Sequence, residues 1–332
     1  MSNDQVGARE DDAIARLLKD AGGRDQPEAA LAASVRAAVE SEWRGIVAAR
    51  QRRHRLTTWA AVAGAAAAAA VIWLVLPLSG ERPAVATLVT ASGVVEYRDG
   101  PRADWLPLAA GTPISMGQAI RTTGSSLAAL ELASGVELRL DHASRLAFDE
   151  RDLASLEQGA AYVDSGRAPA ALAGGFALHT TAGTVRHLGT QYEARLAEDR
   201  LRVAIREGSV RIETPGGAVS GVAGEQLLID QDGVTRSDLP AHDPAWDWVG
   251  AVAPAFAIEG RTLTEFLRWA ARETGRDVAY ASADVEREAA RIVLRGSIEG
   301  LRPDESIAAV SSTTGLDIGL DGGHIEVRSG RH

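Results

Sequence analysis

Leu201-Arg202-Val203-Ala204-Ile205-Arg206-Glu207-Gly208-Ser209-Val210-Arg211-Ile212-Glu213 is the stretch that decides the fold. Apolar side chains stand at 201, 203, 205, 210 and 212, and charged ones fall between them with a period of two. Successive side chains of a strand point to opposite faces, so this pattern buries one face and leaves the other polar. Pro215-Gly216-Gly217 breaks the run before Val219, which predicts a hairpin. The alternation recurs at Val94 and Glu96 and at Val136-Glu137-Leu138-Arg139-Leu140-Asp141. Glycines at 93, 100, 111, 117, 124, 135, 159, 208 and 224 punctuate it at turn-like intervals, and no run of ten or more residues carries a helical stripe. Residues 79–238 are therefore predicted to be all-β, with strand–turn units arranged as a sandwich or solenoid.

Toward the C-terminus the period changes. Residues 239–254, rich in Asp and Pro and carrying Trp246 and Trp248, read as a linker with aromatic anchors. Beyond it, residues 255–330 read as a compact α+β unit in the order β-α-β-β-α-β-β. Phe256 to Ile258 is the first strand and Leu263, Phe266, Leu267, Ala270 and Ala271 mark the first helix, stopped at Gly275. Val278 to Tyr280 and Ile292 to Leu294 read as strands, Pro303-Asp304-Glu305 opens a second helix ended by Gly315, and Ile318 to Val327 forms a closing hairpin.

Toward the N-terminus stands a different signal. Leu56 to Leu78 is 23 residues without a charge. At ~1.5 Å per residue a helix of that length reaches about 35 Å, enough for a bilayer core of about 30 Å. Arg50, Arg52, Arg53 and Arg55 precede it and Arg82 alone follows closely, which predicts a cytoplasmic N-terminus. Trp59 and Trp73 lie towards its ends, where amphipathic rings prefer the interface. Fifty-five residues precede the span, which argues against a signal peptide. Those residues, 1–55, read as two amphipathic helices, one with Ile14, Leu17 and Leu18, the other with Leu31, Val35, Val39, Trp43, Ile46 and Val47 on its stripe. So small a pair buries little, so a protein partner that covers the stripes is the expected completion; Leu17, Leu18, Val39, Trp43 and Ile46 are the candidate contacts.

Composition narrows the function. The chain has 332 residues, a net charge of −10 and no cysteine, so disulfides and thiolate metal sites are excluded. Residues 1–55 carry a net +1 and the remainder −11, a poor balance for binding a phosphate backbone, so no direct nucleic-acid partner is expected. There is no nucleotide loop, nucleophile elbow or HExxH, and the seven histidines are scattered, so neither an enzyme of turnover nor a metal or cofactor site is expected.

Two resemblances add to this reading. Thr180-Thr181-Ala182-Gly183-Thr184-Val185-Arg186-His187-Leu188-Gly189-Thr190-Gln191-Tyr192-Glu193-Ala194 resembles the central motif of the FecR-domain family. Val203 to Val210, Val222 to Gln226, Gly117 to Thr122 and Gly124 to Ala128 resemble its other blocks, so the likeness covers roughly residues 85–235. It implies a single-span inner-membrane regulator of an extracytoplasmic-function sigma factor, signalled from the periplasm by a TonB-dependent receptor. Thr262 to Leu267, Gly296, Gly300, Leu301 to Ile307 and Ile325 to Val327 resemble the secretin and TonB short N-terminal (STN) domain, which implies a protein–protein module of the envelope.

The first resemblance also implies that some such chains break themselves at a Gly-Thr bond by an N–O acyl shift. The matching pair is Gly189-Thr190, with His187 the nearest group in sequence to assist. The competing reading is a strand glycine at a bulge beside an ordinary β-branched residue. At the level of the whole chain the alternative to a sigma regulator is an envelope-binding or scaffold protein with no sigma partner. Residues 1–55 lack the further helix and tryptophan motifs that the resemblance would lead one to expect.

Overall fold

The computed structural model describes residues 82–166 and 175–330. The span at 56–78 and the candidate contacts Leu17, Leu18, Val39, Trp43 and Ile46 lie outside the described residues. Among the described residues no helix is long and apolar enough to cross a membrane. Glu81–His332 clusters as one compact unit.

Its first part is all β. The strands in chain order are β1 (Ala84–Ser92), β2 (Val95–Asp99), β3 (Leu106–Pro107), β4 (Pro113–Ser115), β5 (Gln118–Thr122), β6 (Leu127–Leu132) and β7 (Glu137–Leu140). They continue as β8 (Arg145–Glu150), β9 (Leu153–Asp164), β10 (Ala177–Thr180), β11 (Gly183–Ala197), β12 (Arg200–Thr214), β13 (Gly217–Val222), β14 (Glu225–Asp230) and β15 (Gly233–Asp238). All are joined in one hydrogen-bonded sheet that closes over a single apolar core. The period-two residues supply that core: Leu138, Leu140, Tyr192, Ala194, Leu201, Val203 and Ile205 are all fully buried in it. The hairpin predicted at Pro215-Gly216 forms between β12 and β13, with Thr214 opposite Gly217.

Three long strands hold the sheet together by changing partners along their length. β9 pairs with β8, and in parallel with β10, over its first half, then with β7 and β11 over its second. β11 passes from β10 to β9 while keeping β12 on its other side. β12 passes from β14 to β13. The change in β11 falls at a bulge, where the register slips by one residue between the pairs Leu188–Ser209 and Gln191–Glu207 and slips back by the pair Tyr192–Ile205. Gly189 takes φ +64° there and Gly208 φ +76° opposite it. A local break in register bends the strands and is commonly absorbed by left-handed glycines, one of which each strand supplies here. Gly208 is also required by closeness, since a Cβ on it would sit 2.7 Å from the Gly189 carbonyl oxygen.

The second part begins with a 3₁₀ turn (Pro244–Trp246) and continues with helices α1 (Asp247–Ala251), α2 (Leu263–Thr274), α3 (Ala283–Ala289) and α4 (Pro303–Thr314). Its strands are β16 (Asp277–Tyr280), β17 (Leu316–Asp321) and β18 (His324–Ser329), ordered β16-β18-β17. α2 starts at a capping box, with Thr262 accepting from Glu265 N–H and Glu265 accepting from Thr262 N–H, and ends at left-handed Gly275. The closing hairpin forms as read, Asp321 opposite His324. The element order differs from the expected one. Phe256 to Ile258 is no strand, and Ile292 to Leu294 is reduced to a lone bridge, Thr262 to Val293. The extra helix α3 is capped by Ser282, which accepts from Val285 N–H, with Asp284 and Glu286 favourably placed at its positive end.

Gly208→Ala and Gly224→Ala separate the two demands made on a glycine here. Gly224 has φ +85° with open space around it, whereas Gly208 has φ +76° and a backbone oxygen in the way. Thermal unfolding should show a loss of about 1–2 kcal/mol for Gly224→Ala from the left-handed conformation. Gly208→Ala should lose about 1–3 kcal/mol more, from overpacking; equal losses would contradict the close approach at the bulge.

Candidate functional site

The outer face of β7, β9, β11 and β12 is polar by alternation, yet it is not wet. Glu137, Arg139, Asp141, Asp164, Gln191, Glu193 and Arg206 all point away from the apolar core and are buried nonetheless. Residues 239–251 and α2 cover them. Trp246 packs edge-on against Tyr162 with ring centroids 6.2 Å apart, and Val249 is buried beside it. Trp248 donates its indole N–H to Glu193 at 2.8 Å.

At the centre Arg139 is 0% exposed. Its Nε donates to Glu137 at 2.6 Å, one terminal nitrogen to Glu273 of α2 at 2.8 Å, and the other to the Val249 carbonyl at 2.8 Å. Burial alone would lower the pKa of this guanidinium, but Glu273 and Glu137 together hold it above its ordinary value. Burial pushes the Tyr162 phenol well up, so it stays protonated beside the cation. Arg206 extends the network, donating to the Ala241 carbonyl at 2.7 Å and to the Glu273 carbonyl at 3.0 Å, and lies over the Trp246 ring at 5.3 Å. A small cavity of about 150 Å³ lies beside it, with Arg206, His242, Trp246, Glu273 and Arg302 in its lining.

At one end of the seam Arg272 of α2 grips Asp164 through two nitrogens and donates to Glu207 at 2.7 Å. Burial works against the Asp164 carboxylate, but the Arg272 hydrogen bonds and charge, with Gln191 and the Gly166 N–H, hold its pKa below the ordinary value. Asp164 is the last residue of β9. The next residue, Ser165, is 1% exposed and reaches the bulge in β11. Its N–H donates to the Thr190 carbonyl at 3.1 Å, and its Oγ accepts from Thr190 N–H at 2.9 Å and donates to the Thr190 carbonyl at 3.2 Å.

The pair Gly189-Thr190 therefore sits at the bulge, clamped from β9. Thr190 is 0% exposed and its Oγ1 has no hydrogen-bond partner among the described residues. A buried hydroxyl without a partner is costly and calls for an explanation. The backbone of His187 stands opposite Val210, before the bulge, so simple alternation does not carry it onto the face of Gly189. The His187 side chain lies outside the described residues. Among the described residues no group of three or more His, Asp or Glu could hold a metal ion. Ser165, Asp164 and Arg272 carry no local signal in the sequence; Ser165 meets Thr190, and Arg272 meets Asp164 beside it, only because the fold joins the end of β9, the bulge and α2.

A double-mutant cycle on Arg139→Met and Glu273→Gln tests the seam. Removing one partner of a buried pair leaves an uncompensated charge, so Arg139→Met should cost about 3–5 kcal/mol in denaturant unfolding. The double variant should recover about 0.5–3 kcal/mol relative to the sum of the singles. Strict additivity would show that the pair carries no coupling.

No curated protein matches the chain. Two crystal structures of a "putative anti-sigma factor" from Parabacteroides distasonis ATCC 8503, at 2.50 Å and 1.65 Å resolution, are similar to it. Each is 15% identical, covers 64% of this chain and 99% of its own, and superposes with a TM-score of 0.33. Residues 118–211, which run from the start of β5 into β12 and include the bulge and its clamp, match the family described as FecR protein.

Proposed function

We propose that the chain is a single-pass regulator of the bacterial inner membrane. Residues 1–55 hold an extracytoplasmic-function sigma factor in the cytoplasm. Residues 79–330 lie in the periplasm and receive a signal from the signalling domain of a TonB-dependent receptor. The FecR match over residues 118–211 is the observation that carries this reading. The charge-free span at 56–78 and its arginine flank support the topology. The seam is consistent with a responsive unit, because interfaces built from ion pairs and polar groups separate more readily than large apolar ones.

The test is recovery of partners on the full chain solubilised from membranes. A sigma factor should be recovered with the wild type and lost with Trp43→Ala, an aromatic anchor on an otherwise small apolar stripe. Recovery of no sigma factor by the wild type would overturn the regulator reading in favour of a scaffold without one.

A second reading is favoured by one local observation, the partnerless, fully buried Thr190 Oγ1 beside left-handed Gly189. In it the chain cleaves itself. Thr190 Oγ1 attacks the Gly189 carbonyl carbon, a C–O bond forms, the Gly189–Thr190 C–N bond breaks, and water then hydrolyses the ester. The purified full chain should run as two fragments, the second starting at Thr190, and Thr190→Ala should run as one. An intact wild-type band would remove this reading.

A further inference from the structure

We infer that the cavity beside Arg206 is a binding site for a small zwitterion, a free amino acid, which bridges the β-sheet and the C-terminal unit. The site stands apart from the Gly189–Thr190 bond, and nothing in the argument for it needs self-cleavage or a sigma partner. Its walls come from four places in the chain. Arg206 belongs to β12; Asp243, Trp246 and Asp247 come from the 3₁₀ turn and the start of α1; Arg276 follows α2; and Pro303 opens α4.

The lining holds charge of both signs that does not pair with itself. Arg206 is 6% exposed, and two of its nitrogens donate to the carbonyls of Ala241 and Glu273. Its remaining terminal nitrogen has no partner among the described residues. Arg276 also donates only to carbonyls, that of Gly322 at 2.9 Å and that of Thr274 at 3.4 Å. On the acidic side Asp243 accepts the Ala245 N–H at 2.8 Å, and among the described residues neither Asp243 nor Asp247 forms an ion pair. Glu273 and Asp304, which also line the cavity, are already held by Arg139 and Arg302. A carbonyl takes a guanidinium's hydrogen but does not neutralise its charge. Two cations and two anions around one cavity, none neutralised by a neighbour, are complementary to a ligand that brings both charges.

Depth orders the two ends of the ligand. Arg206 and Trp246 are buried, Asp243 and Arg276 are half-buried, and Asp247 is exposed. Coulomb attraction is strongest where the surroundings are least polar, so the carboxylate belongs at the inner end on Arg206. The ammonium belongs at the mouth, toward Asp243 and Asp247. A simple anion would meet those two aspartates as like charges. Size limits the rest of the ligand: about 150 Å³ is several times the ~30 Å³ share of one water, but well below the ~300–1,000 Å³ of sites for drug-sized molecules. Because Arg206 is on the sheet and Arg276 on the C-terminal unit, the ligand binds only while the two are docked. A ligand that binds one of two arrangements shifts the population toward it.

The experiment melts the full chain, solubilised in detergent, with glycine and L-alanine, the smallest amino acids, and with acetate and L-alanine methyl ester, each of which lacks one of the two charges. A saturating amino acid should raise Tm by about 2–4 °C and slow amide exchange in α2. Acetate and the ester should leave Tm unchanged. No shift with either amino acid overturns the inference, and a shift with acetate as large as that with L-alanine overturns the assignment of a zwitterion. By calorimetry Arg206→Gln should weaken L-alanine binding about ten- to a hundredfold, the usual worth of a hydrogen bond to a charged group. Should Arg206→Gln not fold, Asp247→Asn changes an exposed side chain with no ion pair to lose. It should melt like the wild type without ligand and bind L-alanine about tenfold more weakly; unchanged affinity overturns the inference.

Discussion

The buried guanidinium of Arg139 sets the terms for everything around it. Taking one such cation out of water costs several kcal/mol, and two carboxylates with it cost more. That cost is offset only when Glu137, Glu273 and the Val249 carbonyl converge on it together, as they do here. Glu137 comes from the same strand, but Glu273 and Val249 come from the C-terminal part of the chain. The β-sheet therefore has an outer face that is comfortable in water or under the C-terminal unit, and costly anywhere between. Buried ion pairs are weak sources of net stability, because an apolar seam of equal volume would do as well or better. What they supply is selectivity of pose, since a slipped register would strand charges in a dry interface.

The same point explains what the sequence could and could not tell. Alternation at Leu201 to Arg206 and at Val136 to Asp141 was enough to find the strands and the side that faces the core. It assigned Glu137, Arg139, Asp141 and Arg206 to the other side, which is correct, but a period of two cannot say whether that side meets water or protein. The cover comes from Trp246, Val249 and α2, about 110 residues or more beyond Arg139 for the two groups that bind it. In the C-terminal unit the helices with strong local marks were legible: Thr262 and Glu265 form the capping box, and Gly275 and Gly315 end their helices. Ile292 to Leu294 misled because a short apolar run looks the same whether it pairs in a ladder or simply packs. The helix at Ala283–Ala289 was missed although Ser282 and the acidic residues after it are an ordinary start signal, its seven residues being too few to show a stripe.

For the bulge the sequence named the bond and not its surroundings. Gly189-Thr190 stands out as a motif, whereas Ser165 lies 25 residues earlier, at the end of another strand. Nothing near Ser165 marks it; its neighbour Asp164 is drawn into place by an arginine 108 residues away. Contacts of that separation are created by topology. Here the cause is specific: β9 and β11 become neighbours only after β11 has left β10, and that change occurs at the bulge. The clamp on Thr190 is thus a product of the partner change and could not exist in a sheet whose strands kept one neighbour throughout.

The seam and the bulge are also mechanically joined, and the join is short. Asp164 pairs with Glu137 on one side of β9 and with Gln191 on the other, so it stands between the Arg139 cluster and the bulge. Arg272 lands on Asp164, one helical turn or less from Glu273, which lands on Arg139. A displacement of α2 must therefore disturb both ion pairs together, and the first backbone to feel it is the turn at Asp164-Ser165, one residue from Thr190's hydrogen bonds. A coupling claim needs a physical element with two arrangements that both ends can bias. Docked and lifted α2 would be those arrangements, with charges satisfied by each other in one and by water in the other. The bulge is tightly packed on its far side, because only a glycine at 208 leaves space for the Gly189 carbonyl and the Thr190 side chain.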